Sequence, residues 1–112
     1  MSTRLEKPWI ELNEATVHSL PAQLGVYQLS EPNGTIFFIG YAGGRTRFGL
    51  RSELERWLKD RMGNPTQFRY EINMQYISRH RELLMLHVAD HGGLPLANND
   101  MNPQKLGRLH PG

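Results

Sequence analysis

Six basic residues fall between Tyr41 and Met62: Arg45, Arg47, Arg51, Arg56, Lys59 and Arg61. Only Glu53, Glu55 and Asp60 oppose them, so this segment carries +3 while the rest of the chain sums to −1. Ten of the 13 basic residues in the chain are arginine, whose planar fork of donors matches phosphate. One basic face meeting a polyanion is one reading, and a helix with mixed, solvated charges is the other. Arg45, Arg47, Arg51 and Lys59 are the candidates for contact with nucleic acid, DNA before RNA. A second group is His80, His87 and His91. On one helix these three share a stripe of roughly 40°. Imidazole is a poor ligand for magnesium and a good one for manganese, nickel or zinc. The simpler reading is a set of neutral histidines hydrogen-bonded along a packed helix. There is no cysteine, which excludes disulfides, thiol nucleophiles and cysteine-based metal sites.

The elements that must position these groups belong to one small domain. At 112 residues a folded chain hides roughly 65% of the surface its unfolded form exposes, enough for a single core. A hydrophobic fraction of 38% and a charged fraction of 21% argue against wholesale disorder. The net charge of +2 excludes strong polyelectrolyte behaviour. The longest apolar runs are Ile36–Ile39 and Leu83–Leu86, four residues each. A bilayer span needs about 20, so the expectation is a cytoplasmic protein with no membrane partner.

Ser2 to Leu24 is mixed, and Asn13 followed by Glu14 and Ala15 opens a short helical turn. Gly25 to Leu29 reads as a strand, the dense turn set Ser30 to Gly34 follows, and Thr35 to Tyr41 reads as a second strand. The second is apolar on both faces, which predicts a central position. Leu50, Leu54, Trp57, Leu58 and Met62 recur at helical spacing. Ser52 and Glu55 are spaced as a capping box, and Gly63, Asn64 and Pro65 stop the helix. Phe68 to Met74 alternates as a half-buried third strand. A second long helix starts at Ser78, has its body from Glu82 to His91 and stops at Gly92 and Gly93. Its apolar residues lie on nearly all sides, which predicts deep packing. The order β-β-α-β-α describes an α+β domain, a three-stranded antiparallel sheet flanked by helices. Its core spans about 20–99, residues 1–19 pack on it, and 100–112 form an irregular tail.

Gly25-Val26-Tyr27, ten intervening residues, then Phe38-Ile39-Gly40 resembles the paired motif of the GIY-YIG nuclease superfamily. Leu20-Pro21 and the element order also suit that family. The resemblance covers roughly Leu20 to Asn99. It implies a GIY-YIG-like fold and a metal-dependent endonuclease that hydrolyses phosphodiesters. By that resemblance Tyr27 assists deprotonation of the attacking water. Phe38 stands where the family usually has tyrosine, which predicts weaker activity. The arginine that stabilises the phosphate is Arg47 or Arg51, with Arg51 preferred because Leu50 and Leu54 fix a helical register around it. Laying the family's glutamate-rich helix on Ser78 to His87 puts His87 in the metal position and Asn99 in that of the supporting asparagine. Glu82 is the alternative metal ligand. The implied cofactor is magnesium or manganese, if the protein is active. A neutral imidazole brings no charge to offset the dication's lost hydration, so little magnesium-dependent cleavage is expected. These expectations place His87, and not Glu82, in a pocket with Tyr27, on a concave surface shared with Arg47 or Arg51. The alternative function is a catalytically inactive module that binds nucleic acid or another protein.

Overall fold

The computed structural model of the chain describes residues 4–44, 47–59, 65–95 and 97–98. Its elements are β1 (Ile10–Glu11), α1 (Glu14–His18), β2 (Gly25–Ser30), β3 (Ile36–Ala42), α2 (Leu50–Lys59), β4 (Gln67–Ile72) and α3 (Tyr76–His91). The strands form one antiparallel sheet in the order β1-β4-β2-β3. The fold is α+β, as the pattern of elements predicts, but the sheet has four strands rather than three. The extra strand, β1, is two residues long, too short to show alternation, and is held by the pairings Ile10↔Phe68 and Glu11↔Gln67. Ahead of α2 lies α1, opened by the Asn13 side chain, which accepts from the Thr16 N–H at 2.9 Å.

The expectation that β3 is central is also corrected. Among the described residues β3 is an edge strand, while β2 lies between β3 and β4 and is buried along its whole length. The apolar faces of β3 are covered by helices instead of strands, since both α2 and α3 pack on it. Successive strand residues face opposite ways, and this sorts the core into two parts. Tyr27, Leu29 and Phe38 join Leu50 and Leu54 of α2 on one face of the sheet. Val26 and Ile39 join Leu5 and, from α3, Leu83 and Leu84 on the other. The two long helices therefore lie on opposite faces.

Helix α2 begins at Leu50, whose N–H donates to the Gln23 carbonyl at 2.8 Å. The preceding Gly49 has φ +58°, and a Cβ there would sit 2.2 Å from that same carbonyl oxygen, so this corner requires glycine. Ser52 is inside the helix, and its Oγ accepts from the Phe48 N–H at 3.0 Å instead of forming a box with Glu55. The expected stop at Gly63 and Asn64 and the tail 100–112 lie outside the described residues. Strand β4 ends at Ile72, short of the expected Met74, which is exposed. Helix α3 starts at Tyr76 and closes at Gly92, whose N–H reaches the Val88 carbonyl at 2.7 Å. It is not packed on all sides. It buries Arg79, His80, Leu83 and Leu84, while Ile77, Met85 and Val88 are 54%, 65% and 41% exposed. The helix is the outer layer over one sheet face, so only the side toward the sheet is covered. Among the described residues no helix is long and apolar enough to cross a membrane.

Candidate functional site

Tyr27 and Gly40 are cross-strand partners in the β2–β3 hairpin. The tyrosine ring lies over the glycine: a Cβ at position 40 would come within 2.5 Å of Tyr27 Oη and 2.6 Å of Phe38 Cε2. The motif pair thus has a packing reason, because only glycine leaves room for the ring. Beyond Gly40 the Tyr27 hydroxyl meets α2. It donates to Glu53 Oε1 at 3.0 Å and accepts from Trp57 Nε1–H at 3.2 Å. Phe38 stacks obliquely on Trp57, with ring centroids 5.0 Å apart. Tyr27 is 1% exposed. Burial, and then the Glu53 carboxylate, push its pKa well above the usual phenol value, against the opposing hydrogen bond from Trp57. The phenol is therefore held neutral and in place.

Glu53 and Trp57 were missed as site residues, although the signal existed. They are four apart, and they border the face that Leu50 and Leu54 define. Glu53 also pairs with Arg56 at 3.0 Å, so its charge is offset. Arg51 stands about 160° around the helix from Glu53. Its Nε and Nη2 both donate to the Leu20 carbonyl at 3.3 Å. Arg47 and Arg51 instead gather on exposed Phe48, with guanidinium carbons 5.4 Å and 5.9 Å from the ring centroid. Lys59, at the last described residue of α2, is exposed, and Arg45 lies outside the described residues.

His87 and Glu82 belong to α3, on the sheet face opposite Tyr27, so the expected shared pocket of His87 and Tyr27 does not form. Alternation along β2 and β3 is the reason, since it sends Tyr27 and Phe38 toward α2 and Val26 and Ile39 toward α3. His87 Nδ1 is 2.9 Å from the Gly93 carbonyl, and its ring packs on His91 at 4.4 Å between centroids. Burial lowers its pKa, opposed by that carbonyl. Glu82 pairs with Arg79, which also bridges to Glu71 at 3.0 Å. Burial works to raise the Glu71 pKa, but bonds from Arg79 and Asn73 overcome it and the net shift is downward.

His80, buried in α3, places Nε2 3.0 Å from the Ile39 carbonyl. Asn98 completes that edge of β3: its Oδ1 accepts from the Ile39 N–H at 2.9 Å and its Nδ2 donates to the Ile39 carbonyl at 3.0 Å. Asn99 lies outside the described residues. The neighbouring Asn98 takes a supporting position that sequence spacing alone cannot separate from it.

A magnesium ion needs oxygen ligands carrying uncompensated charge. The carboxylate bonded to Tyr27 is paired with Arg56, and Glu71 and Glu82 are both paired with Arg79. No group of three or more His, Asp or Glu residues suited to a metal occurs among the described residues. The side chains described do not fit such an ion.

One family model, described as a domain of unknown function (DUF7508), matches residues 3–90. Comparison with curated proteins and with solved structures finds no match.

Proposed function

The chain belongs to the DUF7508 family, and we propose that it is a nucleic-acid-binding module of GIY-YIG-like architecture in which endonuclease activity is weakened or lost. The observation that carries this reading is the Arg47–Phe48–Arg51 cluster. Phe48 is 43% exposed and has two guanidinium groups near its ring. An aromatic face flanked by arginines offers stacking to a base and charge to the adjoining phosphates. The pairing of Tyr27 with Gly40 and the placing of α2 directly after the hairpin support the GIY-YIG-like part. Loss of hydrolysis is supported by the phenol of Tyr27 being buried and bonded twice, with no uncompensated carboxylate bonded to it. Magnesium or manganese would enter only as the cofactor of residual cleavage.

A second reading, a protein-interaction module, is favoured by one observation. Ile77, Met85 and Val88 leave an apolar strip on the outer side of α3.

Binding to labelled single- and double-stranded DNA and to RNA separates the two. Binding at low salt should weaken steeply as salt rises. Arg47→Glu with Arg51→Glu should weaken it about equally across sequences, by at least about tenfold. Supercoiled, linear and branched DNA with magnesium, then manganese, should remain uncut or be cut weakly, and any cutting should disappear in Tyr27→Phe. Absence of binding at low salt would end this reading in favour of the protein partner.

A further inference from the structure

Of the four phenylalanines in the chain, Phe37, Phe38 and Phe68 are buried, and Phe48 alone is open to solvent. It joins neither part of the core. It stands in the turn ahead of α2, on a backbone that is fixed. Its N–H donates to Ser52 Oγ at 3.0 Å, and two residues on the Leu50 N–H donates to the Gln23 carbonyl at 2.8 Å. The ring is thus carried in a defined place while much of its surface stays uncovered.

The Arg47 and Arg51 guanidinium carbons are 5.4 Å and 5.9 Å from the ring centroid. Arg69 lies on Trp9 at 4.1 Å, so neither of the two is in comparably close stacking contact with Phe48. Neither meets a carboxylate. Arg4, Arg56 and Arg79 are each paired with acidic side chains, while among the described residues Arg47 and Arg51 have none within salt-bridge distance. Arg51 is positioned by a neutral acceptor, the Leu20 carbonyl. Such an acceptor orients the fork without cancelling its charge.

Two unpaired cations beside an uncovered aromatic ring address the two halves of a nucleotide, the phosphate and the base. The form of the strand follows from where bases can go. In a duplex each base is covered by its neighbours and must be unstacked before it can meet a side chain. A duplex would use the arginines and leave Phe48 idle. The net charge of +2 offers a duplex little besides, since binding to its backbone is built from many phosphate contacts. In a single strand a base is free to lie on the ring while the adjoining phosphates reach the arginines.

We propose that the Arg47–Phe48–Arg51 cluster takes single-stranded nucleic acid in preference to duplex, with one unpaired base stacked on Phe48 and its flanking phosphates held by the two arginines. The inference rests on the nucleic-acid-binding reading above and adds the form of the strand to it. Sequence preference is slight, because every base has a face to stack.

The test is fluorescence anisotropy of the full chain at low salt with three labelled probes of equal length. These are oligo(dT), the oligo(dA)·oligo(dT) duplex, and an abasic oligomer that keeps the phosphates and lacks the bases. Oligo(dT) should bind about tenfold or more tighter than either of the others. Phe48→Leu keeps an apolar side chain and removes the ring. It should lower oligo(dT) binding about tenfold, to the level of the abasic probe, and leave the other two as they are. Phe48→Trp should retain oligo(dT) binding, and Arg47→Glu with Arg51→Glu should weaken all three. Thermal melts check that each variant folds as the native chain does. Equal binding of the three probes, lost in the arginine variant, would overturn the single-strand inference and leave the nucleic-acid reading standing. An oligo(dT) affinity untouched by Phe48→Leu would do the same. Binding of none of the three would end both.

Discussion

The contact between Tyr27 and Gly40 explains at the level of single atoms why a tyrosine and a glycine recur across this hairpin. A methyl group at position 40 would meet the hydroxyl at 2.5 Å and also the ring carbon Cζ at 2.6 Å. Gly40→Ala should therefore destabilise the fold by about 2 kcal/mol or more, as forced overpacking does. Since the ring itself is in the way, adding Tyr27→Phe should not rescue it, whereas adding Tyr27→Leu should recover part of the loss. Tyr27→Phe alone leaves Trp57 Nε1–H without its acceptor and costs about 1–2 kcal/mol. Urea denaturation of the four variants reads these differences directly. Rescue by Tyr27→Phe would show that the glycine is needed for some reason other than the ring.

Two histidines of helix α3 are engaged by backbone carbonyls. His80 is buried against the Ile39 carbonyl, and burial lowers its pKa while that hydrogen bond opposes the shift. His87 shifts in the same direction for the same leading cause. Both are depressed in the folded state relative to an unfolded value of about 6.5. Their contribution to stability is therefore complete above about pH 6.5 and is lost as pH falls through the folded pKa. Stability should therefore begin to fall as pH drops below about 6.5, ahead of protonation of the Glu71 carboxylate, whose pKa is lowered. His80→Gln, which keeps a hydrogen-bonding end, should flatten this slope, and His80→Gln with His87→Gln should flatten it more. Thermal melts at pH 7, 6 and 5 check this. An unchanged slope in the double variant would assign the acid sensitivity to other groups.

Across the whole molecule the deciding feature is that α2 and α3 lie on opposite faces of the sheet. The hydrogen-bond partners of the Tyr27 hydroxyl come from α2, while His80, His87, His91, Arg79 and Glu82 come from α3 and Glu71 from β4. A carboxylate introduced at position 87 would arrive a full sheet away from the phenol. His87→Glu should therefore create no magnesium-dependent cleavage of DNA, and its main effect should be the loss of the bond to the Gly93 carbonyl. Any magnesium-dependent gain in a plasmid-nicking assay would show that α3 contributes to one site with Tyr27.

The local elements were legible in the sequence because their causes are local. Turn residues at 30–34 placed the β2–β3 hairpin, Leu50 and Leu54 set the register of α2, and Gly92 marked the end of α3. The motif residues Tyr27 and Gly40 were legible for the same reason, since a hairpin of known turn length fixes its own register. Strand order was not. Whether β4 adds to β2 or to β3 depends on which edge its apolar side chains can cover, and two residues of β1 carry no readable pattern. The partners of Tyr27 lie 26 and 30 residues away, and Trp9, just ahead of β1, meets Arg69 of β4. The burial of α3 on one side only was likewise beyond a hydropathy pattern, which reports how apolar a helix is and not how many layers cover it. Periodicity and turn chemistry determined the pieces, while the choice of sheet neighbours and of helix faces was made by long-range packing, where side chains distant in sequence compete for the same surface.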